Sequence, residues 1–254
     1  MGRENLPNIL WICTDQQRFD TLGCYGNEFV HTPNIDRLAE MGVLFERCYT
    51  QSPVCTPSRA SFLTGRYPRT TRCRQNGQSI PDDEVLVTKM LDEAGYVCGL
   101  SGKLHISACH PSVCKSMERR IDDGYSVFHW SHGAHDGWPT HEYFQWLREK
   151  GLKFKTPNVE GTKHVSYGMD EEYHQTTWCV DKAITFIEAN HEYNMPWMFS
   201  VNVYDPHHPF DPPKKYLERY MKILDQIPMP NYKEGYMELI KGSYMTLKKI
   251  LLRL

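Results

Sequence analysis

The sequence has little excess charge of either sign. Its 29 lysines and arginines nearly balance 31 aspartates and glutamates, which leaves a formal net charge of -2 over 254 residues. A chain without a basic surplus has no general electrostatic attraction to nucleic acid or to an anionic membrane surface. We therefore expect no nucleic-acid partner, and a ligand has to be inferred from a specific site.

Long apolar runs are also missing. No stretch of about 18 or more apolar residues occurs, which is the length a membrane-spanning helix needs. The first residues, MGRENLPNILWICTD, contain neither a long apolar core nor a small-residue cleavage site. The sequence thus predicts no membrane partner and a cytoplasmic location, with a periplasmic or secreted location left open.

Closely spaced CxxC cysteine pairs are absent as well. The nine cysteines are an odd number and are scattered along the chain. This distribution predicts neither a disulfide framework nor a structural zinc site. Most of the cysteines are expected to be packed thiols.

Short apolar segments alternate with helical patterns along the chain. The clearest apolar segments are NILWIC, YVCGLS and WMFSVNV, at residues 8–13, 96–101 and 197–203. This alternation predicts an α/β fold, a largely parallel sheet sandwiched by helices. The continuous apolar character of NILWIC predicts a strand that is buried on both faces.

Three helical patterns carry recognisable start signals or apolar faces. They are TPNIDRLAEMG with Thr32 as N-cap, VLVTKMLDEAG opened by Asp82 and Asp83, and TTWCVDKAITFIEAN with Val180, Ala183 and Ile187 on one face. Ile35, Leu38 and Ala39 lie on one face of the first helix.

A polar segment at residues 110–157 is expected to form loops and a short helix, and it is a candidate substrate lid.

Aromatic residues and histidines are concentrated in this candidate lid. Its tryptophans at 130, 138 and 146, together with His129, His132, His135 and His141, would either stack on a sugar ring or form an aromatic core. Both readings are open from the sequence.

Reactive side chains follow each of the three predicted strands. Asp15 and Gln16 follow the first strand, GKLH at residues 102–105 follows the second, and DPHH at residues 205–208 follows the third. Ligands of parallel α/β sheets bind beyond the carboxyl ends of the strands. An acid, a lysine and histidines are therefore expected at one edge of the sheet.

Cys55 stands directly before Thr-Pro-Ser-Arg in the stretch VCTPSRASFLTGR, with no cysteine or histidine beside it. A free cysteine is commonly a buried thiol. Here, however, Thr56 and Pro57 are suited to cap and begin a helix. Such a helix would aim free backbone N–H groups and a positive dipole end at Cys55, which favours anions.

The same stretch resembles the sulfatase signature, C-x-P-S-R followed by a short helix that ends in T-G-R. The segments TDQQRFDTLGCYGN, TPNIDRLAEMGVLFERCY, GKLH and DPHHPF are similar to other sulfatase segments and follow in the family's order. The resemblance covers essentially the whole chain. It implies an alkaline-phosphatase-like fold and the hydrolysis of sulfuric esters.

The resemblance implies that Cys55 is a precursor. In sulfatases this cysteine is oxidised to formylglycine by a formylglycine-generating or an anaerobic sulfatase-maturing enzyme, and the aldehyde hydrates to a diol. One hydroxyl of the diol, made more acidic by a divalent cation that is usually Ca²⁺, attacks the sulfur of a sulfate ester and displaces the alcohol. The second hydroxyl then loses its proton and expels sulfate. Family habit suggests a sulfated sugar as substrate.

The resemblance implies roles for individual residues of the site. By resemblance, the cation is held by Asp15, by Gln16 and by the modified Cys55. Gln16 stands where many members have aspartate, so it supplies a carbonyl oxygen but no charge. Arg59 resembles the arginine that holds the diol and balances the carboxylates.

The remaining catalytic positions follow the second and third strands. By resemblance, Lys103 contacts the diol and the sulfate oxygens, and His105, two residues later in an extended segment, orients or deprotonates the diol. The family pattern His-x-Pro selects His207 as the acid that protonates the departing alcohol. The alternative is that His208 faces the substrate or is simply solvated.

The resemblance stops before the family's pattern is complete. Sulfatases continue to a strand followed by S-D-H-G or D-N-G, then to a sulfate-binding lysine and a C-terminal subdomain, and KGSYMTLKKILLRL resembles the helix before that strand. We therefore expect residues 1–254 to be an incomplete, C-terminally truncated N-terminal catalytic domain, either a fragment or a natural short homologue. One edge of the sheet would then lack its neighbour.

Three functions are open on this reading. The leading one is a sulfuric ester hydrolase, for which turnover by the 254-residue chain alone is expected to be near background because the later metal ligands and the sulfate-binding lysine are missing. The alternatives are a phosphodiester or phosphonate monoester hydrolase with the same cysteine motif, and a non-catalytic truncated homologue.

Cys55 should be the one cysteine that is converted to formylglycine, because it alone lies in C-x-P-S-R. When the chain is produced together with a competent maturation enzyme, peptide mass spectrometry should show an aldehyde at Cys55 and an intact thiol at Cys48. A Cys55 thiol that survives these conditions would contradict the assignment.

Overall fold

The computed structural model describes residues 6–228, except residues 136 and 163. The chain divides into two compact units, Met1–Leu217 and Glu218–Leu254. The described part of the second unit holds the end of a helix and a series of turns. The sheet and the candidate site described below belong to the first unit. The helix predicted over KGSYMTLKKILLRL lies outside the described residues.

Four strands form one sheet in the described part of the chain. They are β1 (Ile9–Cys13), β2 (Val97–Gly102), β3 (Val127–Trp130) and β4 (Trp197–Asn202). The order across the sheet is β1-β4-β2-β3, and all three pairings are parallel. The predicted α/β fold with a parallel sheet is confirmed.

Seven α-helices are described along the chain. They are α1 (Pro33–Met41), α2 (Cys55–Thr64), α3 (Pro68–Thr71), α4 (Val87–Glu93), α5 (Glu142–Glu149), α6 (Gln175–Glu192) and α7 (Lys214–Met221). Short 3-10 helices cover Phe19–Thr21, Gly23–Tyr25 and Glu171–Tyr173. None of the described helices combines the length and the apolar character that crossing a membrane requires.

Hydrophobic cores lie on both faces of the sheet because side chains alternate along β4. Met198 packs into one cluster with Ala60 and Leu63 of α2, whereas Phe199 and Val201 pack into the other with residues of α5 and α6. Successive strand residues point to opposite faces, so this division is what a sheet between two helical layers produces.

Strand β1 differs from its prediction. Its central residues Leu10, Trp11 and Ile12 are 47%, 42% and 61% exposed, so the strand is not buried on both faces. The physical reason is position, because β1 forms one edge of the sheet in the described residues, while the central strand β4 is buried throughout. An apolar sequence run predicts a strand but does not say where in the sheet it lies.

Helix α4 begins later than its sequence suggests. It starts at Val87, with Leu86 at the N-cap position. Asp82 and Asp83 lie in the preceding turn, where they form ion pairs with Arg119 and Arg72. The two acids are therefore bound by side chains of distant residues and do not cap the helix.

Two further details of the predicted helices need correction. In α6, Ala183 is buried as predicted but Val180 is 40% exposed, because the buried face runs through Trp178, Cys179 and Phe186. In α1, no residue is buried. The Thr32 hydroxyl stands at the N-cap position but binds the Asp36 side chain, and it does not cap the backbone.

The segment at residues 110–157 contains more regular structure than predicted. It contributes strand β3 to the sheet as well as helix α5. Trp130 and Trp138 are 1% and 2% exposed, so these two rings belong to an aromatic core rather than to an open sugar platform. A lid role for this segment stays a prediction.

Gly102 ends β2 in a conformation that only glycine adopts without strain. Its φ is 104°, and a Cβ there would lie 2.0 Å from the carbonyl oxygen of Asn202 in β4. We expect Gly102→Ala to lower the free energy of unfolding by about 2 kcal/mol or more, because a left-handed alanine and an overpacked contact each carry a cost. Urea denaturation measures the loss.

The matched control is Gly151→Ala, since Gly151 also has a positive φ of 70° but has no atom within 4 Å of the added Cβ. This variant should lose only the backbone contribution, about 1 kcal/mol. Equal losses for the two variants would show that the close approach to Asn202 has no energetic weight.

Candidate active site

The ends of three adjacent strands bring the predicted site residues together. β4 lies between β1 and β2, so the segments that follow these strands share one edge of the sheet. The Asp15 N–H donates to the carbonyl oxygen of Asp205 over 3.2 Å, and the Lys103 N–H donates to that of Asn202 over 3.0 Å. Backbone bonds therefore tie the segments after β1 and β2 to the segment at the end of β4.

Asp15 is the negative centre of this edge. Its side chain is 5% exposed, and one carboxylate oxygen lies 2.5 Å from Lys103 Nζ and 3.4 Å from Arg59 Nη2. Burial would raise the pKa of Asp15, but the charges of Lys103 and Arg59 outweigh it and hold the pKa below its usual value. Asp15 is thus an anion between two buried cations.

Arg59 and Lys103 each make a contact in addition to the ion pair with Asp15. Arg59 is 3% exposed and donates from Nη1 to the carbonyl oxygen of Lys103 over 2.6 Å. Lys103 is 2% exposed, and its ammonium lies 5.2 Å from the ring centroid of Tyr204. Helix α2 and the end of β2 are therefore joined directly at the site.

Cys55 is the first residue of α2, with Val54 at the N-cap position, so the helix begins two residues earlier than predicted. Its sulfur lies 3.5 Å from an Asp15 carboxylate oxygen. The expected array of free N–H groups is not what the structure shows. The Thr56 N–H donates to Asn76, the Ser58 N–H donates to Val54, and Pro57 has none. The positive end of the helix dipole remains.

Gln16 lines a cleft of about 370 Å³ together with Asp15, Cys55, Ser58 and Arg59. Its backbone adopts a left-handed φ of 60°. His105 does the same with a φ of 52°, so the expected extended GKLH segment turns at the histidine. Non-glycine residues in this region are strained, and such strain is typical of functional sites.

His105 is 7% exposed and lies beside the two cations. Its backbone N–H donates to the Glu118 carboxylate over 2.9 Å, and its ring packs edge-on against His132 at 4.6 Å. Burial, with help from Lys103 and Arg59, lowers the pKa of His105 to about 3. The imidazole is therefore neutral at neutral pH.

His207 and His208 occupy different surroundings. A ligand atom of His207 lies within 4.8 Å of ligand atoms of Asp15 and Cys55, whereas His208 is exposed. His207 Nδ1 lies 2.5 Å from the carbonyl oxygen of His208. A carbonyl only accepts, so Nδ1 carries the proton and Nε2 is the free acceptor. Burial lowers the pKa of His207.

Several supporting residues were not predicted from the sequence. Glu118 holds the turn at His105, Asn76 binds the start of α2, and Tyr204 lies against both Lys103 and His207. Tyr204 adjoins the DPHH segment, which was a usable signal. Glu118 lies in the charged run KSMERR, which is typical of solvated surface, and its burial results from tertiary packing.

The sulfatase family model matches residues 7–239. The arylsulfatase of Clostridium perfringens (strain 13 / Type A) is 32% identical over 230 residues, which cover 84% of this chain and 46% of that protein. The chain therefore belongs to the sulfatase family. It spans less than half the length of the first curated relatives that it matches, with coverages of 32–46%.

Two solved structures similar to this chain are described by different substrates. One protein, solved in complex with its substrate D-glucosamine-2-N,6-O-disulfate, matches with a TM-score of 0.63 at 26% identity, over 89% of this chain and 40% of that chain. The phosphonate monoester hydrolase of Agrobacterium radiobacter matches with a TM-score of 0.68 at 27% identity, over 84% and 44%.

With no metal ion bound, Asp15→Asn should strongly destabilise the chain, because it leaves Lys103 and Arg59 buried without their counter-ion. Breaking a buried ion pair in this way costs about 3–5 kcal/mol. Urea denaturation in the presence of a chelator measures the loss. Asp83→Asn, in the exposed pair with Arg72, is the matched control and should cost less than about 1 kcal/mol.

Adding Lys103→Met to Asp15→Asn should recover part of the lost stability, since one uncompensated charge is removed. If Asp15→Asn costs no more than Asp83→Asn, the buried charge cluster is not organised as described.

Proposed function

We propose that the chain carries the formylglycine-bearing part of a sulfuric ester hydrolase, in which Cys55 is the modified residue. The observation that carries the proposal is the charge arrangement at Cys55. Two buried cations, Arg59 and Lys103, surround one carboxylate, Asp15, beside the cysteine. Membership of the sulfatase family supports the same reading.

The charges of this arrangement suit a monoanionic ester. Asp15, Arg59 and Lys103 are each at most 4% exposed, and before any metal is bound they together leave one net positive charge. A sulfate monoester carries a single negative charge, and its charge is attracted more strongly in such a site than in bulk solvent. Preorganised cations of this kind also stabilise the negative charge that develops on the departing group.

Roles for the chain's own residues follow from the geometry. Lys103 and Arg59 hold the anionic ester against the start of α2. His207 donates its Nδ1 proton to the carbonyl oxygen of His208, so Nε2 is the atom that would have to take up a proton before passing it to the departing alcohol. His105 stays neutral and offers one ring nitrogen as a proton acceptor.

Formylglycine, once made from Cys55 by a maturation enzyme, would supply the attacking oxygen, and a bound divalent cation would make that oxygen more acidic. Asp15 and Gln16 would hold the cation with hard oxygen ligands, which suit Ca²⁺. The two side chains fit part of a calcium shell, which takes about 6–8 oxygens. We therefore expect weak calcium binding by these residues.

The substrate is proposed to be a sulfated sugar. The support comes from relatives, namely the N-acetylglucosamine-6-O-sulfatase of Bacteroides thetaiotaomicron and the structure with a bound glucosamine disulfate. A second candidate function is phosphonate monoester hydrolysis, favoured by the match to the Agrobacterium enzyme. A phosphonate monoester is also a monoanion, so charge alone does not separate the two.

Turnover on matched substrates separates these functions. The chain is produced with a maturation enzyme, Cys55 conversion is verified by mass spectrometry, and single-turnover hydrolysis of an aryl sulfate and an aryl phosphonate monoester is followed with calcium present. We expect slow but measurable sulfate release. Cys55→Ala should abolish it, and Cys48→Ser, at an exposed cysteine, should leave it unchanged.

Each other outcome identifies a different function. Faster hydrolysis of the phosphonate than of the sulfate would favour the second candidate. If neither ester is hydrolysed although Cys55 is fully converted, the proposal is wrong for this chain, and a non-catalytic homologue is the remaining interpretation.

A further inference from the structure

A second group of side chains that could bind a metal ion lies next to His105. Ligand atoms of Cys109, Glu118 and His132 all lie within 4.8 Å of one another. The sulfur of Cys114 is 3.9 Å from the sulfur of Cys109. We call these four residues the Cys109 cluster. None of them is assigned a catalytic role in the proposed hydrolysis, although Glu118 holds the turn at His105.

We propose that the Cys109 cluster binds a thiophilic divalent cation of the zinc class. Cys109, Glu118 and His132 would be ligands, and Cys114 would complete a tetrahedral set. Zinc takes sulfur, imidazole nitrogen and carboxylate oxygen ligands in this geometry, and about two to four residues commonly separate paired cysteines. Four residues separate Cys109 from Cys114.

The distances are close to those of a zinc site. With bonds of about 2.0–2.3 Å, the ligand atoms of a zinc tetrahedron lie about 3.3–3.8 Å apart. The two sulfurs, at 3.9 Å, are nearly at that separation already. The ligand atoms of Cys109, Glu118 and His132 have to approach one another by about 1.5 Å at most, which side-chain rotation can supply. The Cys114 sulfur has to turn toward Glu118 and His132 as well.

His132 provides the second, independent observation. It is 8% exposed, and its Nδ1 is buried with no hydrogen-bond partner among the described residues. A buried polar atom of this kind is costly unless it is bound, so it indicates a ligand. Burial lowers the pKa of His132 far below its usual value, so the ring is in the neutral form that coordinates metals.

Glu118 has capacity left for one more bond. Its two oxygens accept three N–H groups, from the His105 and Ile106 backbones and from the Trp130 indole. An ionised carboxylate accepts about four bonds, so it can bind a cation through one oxygen without losing these partners. Burial raises the pKa of Glu118, and a bound cation would remove the resulting penalty on its charged form.

The two cysteines make the cluster accessible to the ion and make the binding affinity depend on pH. Cys109 and Cys114 are half-buried, so the cluster is reachable from solvent. Burial, together with the charge of Glu118, raises the pKa of Cys109, so the free thiol is protonated at neutral pH. Binding therefore exchanges thiol protons for the cation, and affinity should rise with pH.

A bound ion would fix the segment that carries His105. Glu118 accepts the His105 N–H, the His132 ring packs against the His105 ring, and Cys109 follows four residues later. The ion would thus stabilise the left-handed turn at His105. This inference does not depend on the proposed hydrolysis.

Cobalt spectroscopy tests the site directly. The reduced chain is titrated with Co²⁺ in a Cys55→Ser background, because Asp15, Cys55 and His207 also lie within 4.8 Å of one another. We expect one equivalent of cobalt with a thiolate charge-transfer band and intense tetrahedral absorption, displaced by zinc. Adding Cys109→Ser or His132→Ala should abolish the band, and adding Cys48→Ser should preserve it.

A readout without further substitution guards against unfolded variants. In the same Cys55→Ser chain, zinc should slow the alkylation of Cys109 and Cys114 at least tenfold but leave the alkylation of Cys48 unchanged, as measured by peptide mass spectrometry. Absence of the cobalt band, or zinc protection equal at all three cysteines, would overturn the proposal.

Discussion

The structure of the site depends on one buried carboxylate. Asp15 brings Lys103 and Arg59 to within 4 Å of a single oxygen, and both cations are almost wholly excluded from water. An ion pair at this depth gains little stability over well-packed apolar side chains of the same volume. Its presence beside Cys55 is therefore better explained by function, where preorganised charge acts on a developing anion.

The strand order explains why these groups meet. β4 separates β1 from β2, so Asp15 and Lys103 come from strands that are two positions apart and their side chains close over the end of β4. Helix α2 packs on one face of the sheet through Ala60 and Leu63 and thereby places Arg59 beside them. A site of this kind needs the parallel topology, because antiparallel neighbours would end at opposite edges.

The sequence predicted what is local and missed what depends on tertiary packing. The strand segments, α2 and the strand-end positions of Asp15, Lys103 and His207 follow from short patterns that act within a few residues. The predicted burial of β1 on both faces was wrong because β1 lies at an edge of the sheet. The predicted start of α4 was wrong because Asp82 and Asp83 form ion pairs with distant residues. Glu118 had no sequence signal, and the histidine-rich pattern around His132 did not indicate its contact with His105, because both placements depend on tertiary packing around Trp130 and the turn at His105.

Binding of inorganic sulfate tests the central claim most directly. In calorimetric titrations at constant ionic strength with calcium present, the wild-type chain should bind sulfate, and Lys103→Met should weaken the affinity at least tenfold, about 1.4 kcal/mol. Lys89→Met, at a surface ion pair with Asp122, should leave the affinity unchanged. Equal sulfate affinity for the wild type and Lys103→Met would contradict a preorganised anion site at Cys55.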